Sequence, residues 1–426
     1  MVEFVSQLVE SSKTLKKIGF KRLRIIFACA VLISAVLPLR AADSESASTY
    51  CREVEVPLDS VHSSARLGSC GTPDANVDLL WHLDRIDQLD GNLDGRYHRR
   101  HMGADTVVYV MDTGVLASHV EFGNRMIGGY DAATSLTVGA SSCGSPNKAT
   151  QPCYSNFNEL VGASHGTSVA SIVAGANVGV APEAMIVSVR VMNESALATT
   201  RSYLDGLNFI IRNAWDPNTP QFRTAIVNIS GWVLEKLPSM PDPNPVTFAT
   251  VERKIRDMIG GVDADGHPDP NGKRFFFVVA GNNVDNGCGR AGVVDRFPAT
   301  LGKELEGLIT VGGMTEENSW WPGACRGGLE ILAPSQDIFS ATITANDHYR
   351  GRYPNLRSGT SFAAPIISGI AARLLSENPQ LTPGELESII ESTPSRIFNP
   401  DPTRADGKVA FVQDAPAVQT AQRTAP

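Results

Sequence analysis

Four residues far apart in the chain carry side chains that together would do nucleophilic chemistry: Asp112, His165, Asn282 and Ser361. A serine hydroxyl becomes a nucleophile when a base takes its proton. The base needs a carboxylate to orient it, and the oxyanion that forms needs hydrogen-bond donors. Each residue also has a plainer reading. Ser361 lies in SGTSFAAPIISG (Ser358–Gly369), where Ser and Thr hydroxyls satisfy the free N–H groups of a helix start. Asp112 follows the apolar run VVYVM and could cap a turn. His165 opens HGTSVASIVAG, and its small residues Ser168, Ala170, Ser171, Ala174 and Gly175 let a helix pack closely enough to fix an imidazole. His119, seven residues after Asp112, is the competing histidine. Asn282 ends FFFVVAGN and is either a turn former or an amide aimed at an oxyanion; Asn283 competes for that role.

These residues need elements that bring them to one place. Apolar runs at Val107–Met111, Met185–Met192, Ala225–Ser230, Phe275–Ala280 and Leu308–Gly313 read as buried strands. Helical patterns lie at His165–Ala176, Thr199–Ala214, Thr247–Ile259 and Ser361–Ser376. Strands of this kind alternating with helices predict an α/β fold, a mainly parallel central sheet covered on both faces. Such folds build sites at the carboxyl ends of their strands, where Asp112 and Asn282 fall. Asp131–Glu159 and Gly260–Lys273 read as inserted loops, the acidic residues of the second as solvated turn formers rather than cation ligands.

Chain order narrows the chemistry. No histidine follows Ser361, which excludes the Ser…Asp…His order of α/β-hydrolases, and their G-x-S-x-G elbow is absent. The order here is Asp112, His165, Asn282, Ser361. Asp112-Thr-Gly, His165-Gly-Thr, Ala280-Gly-Asn and Gly359-Thr-Ser361-x-Ala-x-Pro365 together resemble the motifs of the subtilisin-like serine proteases, closest in flavour to the proteinase K branch. WHLDRI (Trp81–Ile86), SHVEF, GVAPEAMIVSVRVM and GKVAF (Gly407–Phe411) add to the resemblance, which covers residues 76–415. It implies a three-layer subtilisin-like fold and hydrolysis of peptide bonds through an acyl-enzyme. Ser361 would be the nucleophile, His165 the base, Asp112 its orienting partner, and Asn282 an oxyanion donor beside the Ser361 N–H. Ser230, Gly231, Ala280 and Gly281 would meet the substrate. Pro365 suits a first helical turn, where its missing N–H matters little.

The sequence departs from the family pattern in four places. The segment ahead of Trp81 is short for the family's inhibitory pro-domain. Ser230 is followed by Gly231-Trp232 instead of L-G-G, so pocket preference does not carry over. The loop holding Cys143 and Cys153 separates Asp112 from His165 by 53 residues. Glu330 stands where some relatives bind calcium through an aspartate; plain surface charge is the favoured reading there and a structural calcium site the alternative, and no cofactor is required. A catalytically dead relative would lack a member of the set, and all four members are present. An esterase is the remaining rival.

Composition bounds the rest. With 426 residues, 42% of them hydrophobic, the chain can bury a sizeable core. Residues 1–42 carry a net charge of +5 and the remainder −13, which excludes the basic footprint of a nucleic-acid binder. Six basic residues precede the apolar run Ile25–Leu39, and small residues follow at Ala41 and Ala42: an export signal over 1–42, with an uncleaved anchor as the alternative. Residues 43–75 form a short polar segment without clear period, and 416–426 a disordered tail. Behind the signal stand six cysteines, an even number suited to an oxidising compartment, secreted or periplasmic. The simplest pairing is sequential: 51–70, 143–153 and 288–325.

Overall fold

Seven strands form one parallel sheet: β1 (Val107–Asp112), β2 (Met126–Asp131), β3 (Met185–Arg190), β4 (Thr224–Ile229), β5 (Arg274–Ala280), β6 (Leu308–Met314) and β7 (Ile331–Pro334). Their order is β7-β6-β5-β4-β1-β3-β2, and every neighbouring pair runs parallel. The computed structural model describes the strand Val54–Pro57 and residues 80–411, except 90, 94–95, 100, 134–164, 194–195, 215–220, 235–245, 264, 270–271, 284–287, 290–291, 344–348, 351–356, 394 and 398–406. All described residues belong to the unit Tyr50–Pro426. The export signal, the two expected pairings at Cys51–Cys70 and Cys143–Cys153, the 143–153 loop and the tail lie outside the described residues. No described helix is long and apolar enough to cross a membrane.

Alternation along the strands builds two cores. Successive side chains of a strand point to opposite faces. Val108 and Val110 of β1 therefore join Ile226, Phe276 and Val278 on one face, and Val107, Tyr109 and Met111 join Val227, Phe275 and Phe277 on the other. The first face is covered by α1 (Trp81–Ile86), α2 (His165–Ala174), α5 (Thr360–Glu377) and α6 (Pro383–Glu391). The second is covered by α3 (Thr200–Ala214) and α4 (Phe248–Gly260). In α3 the buried residues Tyr203, Leu207, Ile210, Ile211 and Ala214 recur at helical spacing, the single apolar stripe of a surface helix. α2 is different: every residue after His165 is buried, and α2 packs against α5 through small side chains. At Gly369 a β-carbon would overlap Val180.

The four expected helices and five expected strands are all present, with ends shifted by one or two residues. The strand expected over Met185–Met192 stops at Arg190. The two strands without a sequence-based expectation, β2 and β7, are the sheet's edges. MIGGYD carries two glycines and is half-covered, and ILAP is short and ends in proline, so neither shows the continuous apolar run of a central strand. The short polar segment before residue 76, which shows no clear period in the sequence, contributes Val54–Pro57, an antiparallel partner of Arg96–Arg99.

β1 and β4 are neighbours, and the chain leaves β1 for β2 on one side of the sheet and β4 for β5 on the other, so a crevice opens at the carboxyl ends of β1 and β4. Asp112 is the last residue of β1. Ser230 directly follows β4, and Asn282 lies two residues beyond β5.

Candidate functional site

His165 Nδ1 lies 2.9 Å from Asp112 Oδ1 and 3.0 Å from Oδ2. Asp112 is fully buried, and its Oδ1 also accepts from the Thr113 N–H at 2.6 Å. A carboxylate only accepts, so Nδ1 carries the proton and Nε2 keeps its lone pair. The pairing depends on close backbone approach. The Gly166 N–H donates to Thr113 Oγ1 at 3.0 Å, and the Leu116 N–H to Thr167 Oγ1 at 2.9 Å, which staples the start of α2 to the turn after β1. A β-carbon on Gly166 would overlap the Gly114 carbonyl and press on Asp112. The His165 side chain is 22% exposed, enough for Nε2 to face an incoming group. The hydroxyl of buried Tyr203 has no hydrogen-bond partner, and burial followed by the charge of Asp112 holds it protonated. His119, the competing histidine, is buried and accepts at Nδ1 from the Glu121 N–H, a turn contact outside the site.

Ser361 is the second residue of α5, after the N-cap Gly359. Its hydroxyl donates to the Ser230 carbonyl at 3.0 Å, not to the imidazole. The ring of His165 packs instead on Phe362, 5.5 Å between centroids. Pro365 is not in the first turn, as expected from the sequence, but at the sixth helical position. There its missing N–H would have served the carbonyl of Ser361, four residues earlier. That carbonyl accepts instead from Ser230 Oγ at 2.9 Å.

The two candidate asparagines separate cleanly. Asn282 adopts a left-handed conformation (φ 66°), and its Nδ2 is buried with no hydrogen-bond partner. An orphaned buried donor costs about 1–3 kcal/mol and requires an explanation. Asn283 turns the other way, its Oδ1 accepting from the Thr360 N–H at 3.4 Å, at the head of α5. The backbone of Asn282 is clamped from outside: its carbonyl accepts from the Cys325 N–H at 3.3 Å, and Asn283 bridges Ala324. Cys325 is disulfide-bonded to Cys288, the third pairing expected from the sequence.

Of the residues expected to meet substrate, Ser230 contacts Ser361 as described. Gly231 is partly exposed under Met192, whose Cε occupies the place a β-carbon would take. Ala280 is buried at the end of β5. The Gly281 N–H continues the ladder to the Val311 carbonyl at 2.8 Å. Trp232 lies beside this segment with the Arg296 guanidinium 5.3 Å over its ring.

Glu330 borders a cavity of about 860 Å³ that Lys303, Glu306, Glu387 and Glu391 also line. Its Oε2 accepts from the Thr310 N–H, and its Oε1 is buried without a partner. Calcium takes six to eight oxygens. Here Glu387 is engaged by the Gly307 N–H and Glu391 by Lys408 at 2.8 Å, and among the described residues no three His, Cys, Asp or Glu side chains gather to hold a metal. The donor set around Glu330 does not fit a calcium cage. In the Gly260–Lys273 loop, Asp263 Oδ1 accepts from the N–H groups of Asp265 and His267, as a turn former does.

Comparison with known proteins agrees with this geometry. The model of the subtilase family matches residues 103–413. Alkaline serine exoprotease A of Vibrio alginolyticus is 29% identical over 328 residues, 76% of this chain and 48% of that protein. Extracellular serine proteinase of Thermus sp. (strain Rt41A) is 29% identical over 325 residues, 75% of this chain and 63% of that protein. The chain thus spans about half to under two thirds of the length of these relatives. Among solved structures, a cold-adapted subtilisin-like serine proteinase superposes with a TM-score of 0.56 at 27% identity, covering 78% of this chain and 98% of that one.

Proposed function

The chain belongs to the subtilase family, and on that premise we propose that it is a secreted serine endopeptidase that cuts protein or peptide substrates through Asp112, His165 and Ser361. The observation that carries this reading is the pairing of His165 with buried Asp112 at the carboxyl end of the sheet, where Ser361 contacts Ser230. Ser361 Oγ leaves the Ser230 carbonyl, turns to His165 Nε2 and attacks the scissile carbonyl carbon. Nε2 takes the hydroxyl proton and gives it to the leaving amine. Water, deprotonated by the same nitrogen, then hydrolyses the acyl-enzyme. Asp112 holds the imidazole in its tautomer and stabilises the imidazolium. The oxyanion is received by Asn282 Nδ2 and the Ser361 N–H, one of the four N–H groups a helix start leaves free. The positive end of α5 favours the same charge. Ser230, Gly231, Ala280 and Gly281 flank the substrate backbone. Each step is carried by side-chain and backbone groups of this chain.

Export from the cytoplasm is part of the proposal, and the Cys288–Cys325 bridge supports an oxidising compartment. The test is fluorophosphonate labelling with mapping of the modified peptide, run beside casein cleavage by wild type and Ser361→Ala. Labelling at Ser361, with cleavage abolished by the substitution, is expected. A folded protein that neither labels nor cleaves overturns the reading. Cleavage of esters with casein left intact would replace it with an esterase.

A further inference from the structure

The carbonyl of Ser361 is the one Pro365 deprives of its helical donor, and the group that replaces that donor belongs to a buried chain of hydrogen bonds. Ser230 Oγ donates to it at 2.9 Å. Asn228 Nδ2 donates to Ser230 Oγ at 2.9 Å. Asn228 Oδ1 in turn accepts from Ser368 Oγ, also at 2.9 Å, two turns further along α5. Asn228, Ser230 and Ser368 are all buried. Asn228 lies within β4, with Val110 of β1 and Val278 of β5 as its lateral neighbours, so its backbone is fixed by the sheet. A buried polar network is tolerated only when its members are satisfied, and each bond here has good length. None of these residues stands out in the sequence as more than strand or helix filling, apart from Ser230 as a backbone contact.

We propose that Asn228 is a positioning residue for the nucleophile: acting through the Ser230 hydroxyl, it holds the Ser361 carbonyl that Pro365 leaves without a donor, and so fixes Ser361 against the carboxyl end of β4. An ordinary helix would set the position of its second residue through its own ladder. Here the ladder is interrupted at that residue, and the sheet supplies the bond instead. The Ser230 carbonyl, meanwhile, holds the Ser361 hydroxyl. Ser230 therefore grips the nucleophile by both its backbone and its side chain, and Asn228 sets the rotamer of the hydroxyl that makes the side-chain grip. Asn228 touches neither substrate nor reacting atoms. This inference rests on the proposed role of Ser361.

The Pro365 interruption supplies the test. Pro365→Ala restores an N–H at that position, and the Ser361 carbonyl regains a helical donor. Asn228→Ala and, separately, Ser230→Ala are each made in the wild-type chain and in the Pro365→Ala variant. Folding is checked by circular dichroism, and kcat, KM and the rate of fluorophosphonate labelling are measured. In the wild-type chain each substitution is expected to lower kcat and the labelling rate about 10- to 100-fold, the scale of a misplaced catalytic group, with KM little changed. In the Pro365→Ala background the loss is expected to shrink at least several-fold, a coupling that general destabilisation would not produce. If Asn228→Ala does not fold, the Ser230→Ala pair carries the same test. Folded variants with wild-type kcat, or losses equal in both backgrounds, overturn the positioning role. A wild type that fails to label at Ser361 overturns the protease reading itself, a separate outcome.

Discussion

At the scale of single residues, the site is identified by groups whose hydrogen bonds are missing or displaced. Asn282 keeps a buried Nδ2 without a partner although its neighbour Asn283 is engaged. A fold selected for stability alone would not leave that donor empty. Asn282→Ala is therefore expected to lower kcat about 10²- to 10³-fold, with KM nearly unchanged. The melting temperature should change little, because removing an unsatisfied buried group offsets the strain of alanine at φ 66°. A kcat within twofold of wild type would remove Asn282 from the oxyanion site. Gly166 makes the converse case, since a side chain there has no room beside the Gly114 carbonyl and Asp112. Gly166→Ala should push α2 away from β1, lengthen the His165–Asp112 contact and reduce kcat on the order of 100-fold, as misplacement by about 1 Å does. The loss should appear at temperatures where circular dichroism still reports a folded protein.

At the scale of elements, what the sequence makes legible follows from burial. Central strands such as β1 and β5 are apolar on both faces and flanked by turn residues, so their runs stand out. The edge strands β2 and β7 lack that signature. α6 is also legible in principle: Thr382 and Glu385 form a capping box around Pro383 at the helix start. The proposed catalytic set is readable because its residues end strands or begin helices, where local motifs are tight. Asn228 and Ser368 are not, because their role exists only when β4 meets α5 in space. Nor can spacing reveal that Pro365 interrupts the ladder at Ser361, because that requires knowing where α5 begins. The disulfide ties Cys325, in the segment that clamps Asn282, to Cys288, and here the element level makes its own prediction. Cys288→Ser/Cys325→Ser opens a loop of 37 residues, worth up to about 4 kcal/mol in the chain-entropy account. Because Cys325 also carries the N–H that holds the Asn282 carbonyl, kcat should fall as well, and Asn282→Ala should add little to that fall. Stability loss with kcat intact would make the bridge purely structural.

For the whole molecule, pH acts on two buried places with opposite sign. His82, in α1, gives its Nε2 to the Val178 carbonyl at 3.0 Å, while its Nδ1 is buried without a partner. Burial lowers its pKa to about 4, partly offset by that hydrogen bond. A lowered histidine stabilises the fold above its ordinary value of 6.5, and the contribution is lost as pH falls through 4. Glu330 and Glu387 face the same cavity, and burial raises each to about 7 against the opposing pull of a backbone N–H, with repulsion from Glu391 adding to the rise. A raised carboxyl stabilises the fold below its ordinary value of 4.5 and loses that contribution as pH rises through 7. The two glutamates share one site, so they titrate as a pair. Glu330→Gln is therefore expected to raise the melting temperature at pH 8 and leave it nearly unchanged at pH 4. The gain is at most on the order of 3 kcal/mol, reduced by the solvent that reaches the cavity. The acid limb set by His82 should persist in the variant. A calcium cage would behave in the opposite way: removing one of its carboxylates would lower stability at pH 8, and a chelator would do so in wild type but not in the variant. The proton reading requires any chelator effect to be equal in the two proteins. Melting curves at pH 4, 6 and 8, with and without chelator, decide between a proton and a cation as the partner of Glu330 Oε1.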